Sequence, residues 1–171
     1  MEQESSGVDF SSLTKADAYT ILAGQLESLL TGESDRIANA ANTAALLYEA
    51  LPDVNWAGFY FLKENELVVG PFQGRPACVH IALGHGVCGT AAAEMRTQVI
   101  DDVHAFPGHI TCDIASKAEI VVPLILNESL IGVLDIDSPV KSRFDGEDRK
   151  GIERLAKIYV DSLNEEVTGD E

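Results

Sequence analysis

The apolar positions of this chain change period twice, dividing it into a helical start, a β-rich middle and a helical end. From Thr14 to about Leu30, and from Ser34 to about Leu51, apolar residues recur at helical spacing, the second stretch being rich in Ala and Leu. Pro52 closes this helical part. From Val54 to Leu62 the pattern alternates around aromatic residues, Glu64-Asn65 offers a turn, and Leu67 to Phe72 returns, which predicts a hairpin. A second hairpin is expected from Glu119–Leu126, a turn at Asn127-Glu128, and Leu130–Asp137. Between the hairpins lie a stretch rich in Gly, His and Cys from Arg75 to Thr90, a short helical piece near Ala91 to Met95, and a strand at Gln98 to Ile100. A long loop then runs through Pro107 and Cys112. The last helix is expected to open on Asp145 as N-cap, with Glu147 and Asp148 in its first turn and Ile152, Leu155, Ile158, Tyr159 and Leu163 on one stripe. The predicted class is α+β, a central antiparallel β-sheet with flanking helices, in one domain over 14–165 between a polar leader (1–13) and an acidic tail (166–171).

Composition narrows the setting. A chain of 171 residues that is 46% hydrophobic can bury a full core in one domain. Twelve Lys and Arg against 28 Asp and Glu leave a net charge of −16, which opposes phosphate backbones and anionic lipid, so neither nucleic acid nor a membrane is an expected partner. The start of the chain lacks a basic-then-apolar pattern, and the cysteine count is odd, so a reducing cytoplasm is the expected location. The charge also works against thiolates: a reactive cysteine needs local help from histidine, a helix N-terminus or backbone N–H groups.

The cysteines carry the main chemical signal. Cys78, Cys88 and Cys112 are the only three, and all fall in the central third of the chain in segments read as loops or loop edges, where neighbouring thiols can pass through sulfenic acid and disulfide states. Gly84-His85-Gly86-Val87-Cys88-Gly89 has the G-x-G-x-x-G spacing, but the helix after it is too short for a βαβ crossover, which leaves a backbone nest for a small carboxylate or a plain tight turn. Cys78, His80, His85 and Cys88 do not follow a common zinc spacing, and no metal or organic cofactor is expected. Cys88 also reads as a small buried residue at a helix start. Asp135 and Asp137 lie two apart on one strand and so share a face, with Glu119 on the partner strand. They form either a solvated acidic face or a pocket that receives an ammonium and donates a proton. Trp56 and Tyr60 share a face of the first hairpin, as core or as an aromatic wall for an apolar substrate tail.

Taken together, Asn55-Trp56-Ala57-Gly58-Phe59-Tyr60, Gly70-Pro71-Phe72-Gln73-Gly74 with Pro76-Ala77-Cys78, the Gly84–Gly89 run, Glu119-Ile120-Val121-Val122-Pro123 and Gly132-Val133-Leu134-Asp135-Ile136-Asp137-Ser138 resemble the free methionine-R-sulfoxide reductases, small GAF-domain enzymes. The resemblance spans about residues 15 to 165. It implies that Cys112 is the nucleophile, Cys78 the resolving thiol and Cys88 an accessory one. It also implies that Glu119, Asp135 and Asp137 bind substrate and that Trp56 lines the methyl pocket. The implied substrate is free methionine-(R)-sulfoxide and the implied reductant thioredoxin; oligomeric state is left open, a homodimer included. The alternative is a non-catalytic GAF module that binds a small ligand or senses oxidant through its thiols.

Overall fold

The computed structural model describes residues 7–110, 112 and 114–164. The helix α1 (Lys15–Leu30) is capped by the Thr14 hydroxyl, which accepts from the Asp17 N–H. Helix α2 (Arg36–Ala50) is capped by Asp35, one residue later than the sequence suggests, because its carboxylate accepts from both Ile37 and Ala38 N–H. Strands β1 (Trp56–Lys63) and β2 (Glu66–Gly74) make the first hairpin, and β5 (Ala118–Leu126) and β6 (Ser129–Ser138) the second. β3 (His80–Ala82) and β4 (Gln98–Ile100) are short edge strands. The sheet has six antiparallel strands in the order β3-β2-β1-β6-β5-β4, so the two hairpins meet along β1 and β6. The acidic tail and residues 1–6 of the polar leader lie outside the described residues.

The middle of the chain departs from the expected pattern. Helix α3 runs from Gly86 to Glu94, starting five residues before the predicted short helix and taking Cys88 into its first turn. The glycines hid it. Gly84 and Gly86 hold positive φ (81° and 64°) to turn the chain out of β3, and a side chain at Gly89 would put its Cβ 2.4 Å from the Ala82 carbonyl oxygen. Glycine weakens the local helical signal while permitting this close approach. Since β3 and β4 occupy opposite edges of the sheet, α3 is no βαβ crossover, as the shortness of the predicted helix suggests.

The two faces of the sheet bury different things. Ala57, Phe59 and Phe61 of β1, Ile120, Val122 and Leu124 of β5, and Leu134 and Ile136 of β6 join α1, α2 and α4 (Gly146–Ser162) in the larger apolar core. The alternate residues Trp56, Tyr60, Val121 and Val133 meet Val87, Cys88, Ala91 and Ala92 of α3 in the smaller one. Among the stripe predicted on α4, Ile152, Leu155 and Tyr159 are buried, and Ile158 and Leu163 are partly so.

Asp145 caps α4 in a reciprocal box with Asp148. Fully buried Asp148 also accepts from Tyr19 Oη at 2.7 Å, Lys15 Nζ at 2.7 Å and Arg143 Nη1 at 3.1 Å, tying α1 to α4. Removing one member of such a network strands the others in a dry environment. Asp148→Ala is therefore expected to lower unfolding free energy by about 3–5 kcal/mol, read by urea denaturation; a loss below about 1 kcal/mol is what an exposed pair gives and would contradict this account.

Candidate active site

Strand register builds the floor of the pocket. Glu119 pairs with Asp137, Asp137 with Trp56, and Asp135 with both Val121 and Gly58, so all three acids fall on the α3 side of the sheet. Glu119 and Asp135 are 6% and 5% exposed and Asp137 is half-buried, which removes the solvated-face reading. Gly58 contributes by lacking a side chain opposite Asp135, while Trp56 and Tyr60 rise beside it as stacked rings with centroids 5.8 Å apart. The pocket is lined by these residues together with Arg75–Ala77, Ile81, His85–Cys88, His109, Ile110, Cys112 and Ser116. Counted out to its mouth, with the open solvent there included, it holds about 560 Å³.

The two aromatic residues are anchors as well as walls. Trp56 Nε1 donates to the Arg75 carbonyl at 3.1 Å, and Tyr60 Oη donates to the Cys78 carbonyl at 3.0 Å. Both bonds fix the segment that carries Cys78. Across the mouth, Cys78 and Cys112 form a disulfide with Cα atoms 5.6 Å apart and S–S 2.03 Å, joining residues 34 apart in sequence. Cys88 remains a free, buried thiol in α3, and its Sγ donates to Glu119 Oε1 at 3.8 Å. The Cys78, His80, His85 and Cys88 grouping is not assembled as one ligand set: Cys78 is disulfide-bonded, and His80 pairs with Glu66 at 2.9 Å on the exposed edge.

His109 is the site residue that sequence reasoning passed over. Its Nε2 lies 4.0 Å from Glu119 Oε2, its side chain is largely buried, and its ring stands edge-on to His104. Burial first, and His104 second, push its pKa down, which favours the neutral imidazole. The available signal was position: a histidine three residues before Cys112 in a long loop. Ile110 from the same loop lies over Gly86, where an added Cβ would come within 3.1 Å of it.

Electrostatics set the protonation of the floor. Burial is the largest cause that raises Glu119 well above the carboxylate range, with the charges of Asp135 and Asp137 adding to it. Burial likewise raises Asp135 to about 6. Two ionised carboxylates side by side would be unfavourable, and Asp135 Oδ1 is buried with no hydrogen-bond partner among the described residues, so a proton held by the pair relieves both problems. Burial, then the same two acids, raises the Cys88 thiol, which therefore stays protonated. On the opposite wall, the N–H groups of Gly86, Val87 and Cys88 begin α3 without intrahelical partners, and His85 supplies no side-chain cap. The pocket thus offers a proton and anionic oxygens on one side and backbone donors on another.

Comparison with known proteins fits this arrangement. The GAF domain family matches residues 14–159. Free methionine-R-sulfoxide reductase of Escherichia coli is 53% identical over 143 residues, covering 84% of this chain and 87% of the relative. The chain belongs to the free methionine-R-sulfoxide reductase family. Protein YtsP of Bacillus subtilis is 55% identical over 151 residues, covering 87% of this chain and 93% of the relative. The structure of the Neisseria meningitidis free methionine-R-sulfoxide reductase in complex with its substrate superimposes with a TM-score of 0.86 at 45% identity, covering 92% of this chain and 95% of that one.

The raised acids make stability depend on pH. Each takes up its proton at higher pH folded than unfolded, so its contribution is full below the ordinary values of 3.8 and 4.5 and is lost as pH rises, for Asp135 through about 6. Asp135→Asn cannot ionise. Its stability relative to the parent is expected to rise as pH increases through about 6, measured by urea unfolding across that range; a difference that is flat with pH would show that Asp135 ionises normally.

Proposed function

We propose that this protein reduces free methionine-(R)-sulfoxide, with Cys112 as nucleophile, Cys78 as resolving thiol and thioredoxin as reductant. The observation that carries the reading is the Cys78–Cys112 disulfide at the mouth of a pocket floored by buried acids that hold a proton. In the forward reaction the Cys112 thiolate attacks the sulfoxide sulfur while the Glu119–Asp135 pair protonates the sulfoxide oxygen. The oxygen passes to Cys112, methionine leaves, and Cys112 becomes a sulfenic acid. Cys78 then displaces that oxygen as water and forms the disulfide. Thioredoxin's dithiol reduces it, returning both thiols and ending as a disulfide itself.

Placement of the substrate follows from charge and shape. Its ammonium faces the acidic floor including Asp137, its methyl and thioether carbons lie against Trp56 and Tyr60, and its carboxylate faces the free N–H groups opening α3. A free amino acid supplies both charges. A peptide-bound residue supplies neither, which is why the free form is the proposed substrate. Cys88 plays an accessory part as the thiol beside Glu119. The reaction as written requires no metal or organic cofactor, and the cytoplasm, where thioredoxin keeps thiols reduced, is its proposed setting.

The test is NADPH consumption through thioredoxin reductase and thioredoxin, with free methionine-(R)-sulfoxide as the only oxidant. Cys112→Ser is expected to abolish turnover, while Cys78→Ser releases about one methionine per chain and then stalls as a dimedone-reactive sulfenic acid. Sustained turnover by Cys112→Ser would overturn the assignment, and a folded parent with no activity would favour a ligand-binding or redox-sensing module.

Substrate ends provide a second test. Blocking the amine and carboxylate leaves buried groups unpaired, so kcat/KM for N-acetyl-methionine-(R)-sulfoxide amide should fall by at least about a hundredfold relative to the free amino acid. Equal values would rule out recognition of the charged ends.

A further inference from the structure

The proposed reduction uses Glu119 and Asp135 together but gives the Cys88 thiol no step of its own, yet the three meet in one cluster. One donor atom from each lies within 4.8 Å of the others, and all three residues are buried. Asp135 Oδ1 has no hydrogen-bond partner among the described residues, and the basic side chain beside either acid there is His109, whose imidazole, favoured in its neutral form, lies 4.0 Å from Glu119 Oε2. Three groups able to carry negative charge therefore converge where, among the described residues, no lysine or arginine ion pair answers them.

We propose that Cys88, Glu119 and Asp135, completed by His109, form a binding site for a thiophilic divalent cation of the zinc class, which occupies the floor of the pocket in place of substrate. The donor set selects the ion. A sulfur beside two carboxylates and an imidazole matches zinc and cobalt(II), whereas magnesium and calcium take oxygen ligands. The dimensions also suit it. Ligand atoms around a tetrahedral zinc stand about 3.3–3.8 Å apart. The three donors of the cluster lie within 4.8 Å of one another and Cys88 Sγ is 3.8 Å from Glu119 Oε1, so shifts of about an ångström or less bring them to that spacing, while His109 Nε2, 4.0 Å from the other oxygen Glu119 Oε2, swings in to complete the shell.

Binding would release two protons from the cluster to solvent, that of the Cys88 thiol and the one shared by Glu119 and Asp135, and put a divalent charge in their place. A chain of net charge −16 draws cations towards such a cleft. Competition with substrate rests on the reductase reading; the metal site itself does not.

The disulfide form gives a clean test, because Cys78 and Cys112 are then unavailable and Cys88 is the thiol left to bind. Cobalt(II) titrated into oxidised protein without reductant should bind one ion per chain with a thiolate-to-cobalt charge-transfer absorption, and zinc(II) should displace it. Cys88→Ser should abolish that absorption. Asp135→Asn should weaken zinc(II) at least about tenfold, with circular dichroism checking that both variants are folded. No charge-transfer band in the parent, a band that survives Cys88→Ser, or unchanged zinc affinity in folded Asp135→Asn would each overturn the site. Adding free methionine-(R)-sulfoxide should displace the metal; a site that binds cobalt through Cys88 yet ignores the sulfoxide contradicts the substrate placement proposed above and leaves the metal site standing.

Discussion

Alternation along three central strands, β1, β6 and β5, is the constraint on which this molecule depends. Each sends one set of side chains into the helical core and the other set towards α3, so a shift of register by one residue would exchange Phe59 with Tyr60, or Ile136 with Asp135. The cost of that exchange is large in both directions, since it would bury charges among leucines and place large apolar residues in the pocket. The core therefore fixes the site. Phe59, Ile120 and Leu134 take no part in chemistry, yet their burial decides where Trp56, Glu119 and Asp135 point.

The same register concentrates acids in a place that opposes their ionisation. A protein with excess negative charge gains little from three carboxylates on one half-buried face unless something balances them. Here the balance available among the described residues is a retained proton, beside the neutral imidazole of His109. A resting site of this kind is preorganised for a ligand that brings positive charge or accepts a proton, and a sulfoxide-bearing amino acid does both. Aromatic anchors complete the arrangement by holding the Cys78 segment in place through backbone carbonyls. The proposed substrate wall and the position of the Cys78 segment are thus set by the same two side chains.

Much of this was legible in the sequence, and the misses have definite causes. Both hairpins and the outer helices announce themselves through period and capping, as with Asp145 and Glu147-Asp148. That Asp135 and Asp137 share one face of β6 also follows from alternation alone. Their burial does not, because it depends on α3, and α3 is disguised by glycines chosen for close packing against Ala82. His109 lies in a loop without periodicity, where its distance to Glu119 is set by tertiary structure. The pairing of Cys78 with Cys112 came from family likeness, since spacing alone gives no preference among the three thiols.

Burial explains how those thiols can differ in one acidic pocket. Cys88 sits on the floor beside Glu119 and Asp135, where desolvation and their charges both oppose a thiolate. Cys112 lies exposed in the loop at the mouth, where water can solvate a thiolate and the acids below act through a wetter, more screening medium. The gradient runs along the depth of one pocket. In the proposed reaction the nucleophile acts at the exposed rim while the proton needed by the sulfoxide oxygen is retained below, so acid and nucleophile are kept apart by depth. Reversing their depths would place a buried thiolate among carboxylates and an ionised acid in water, and neither group could then do its part.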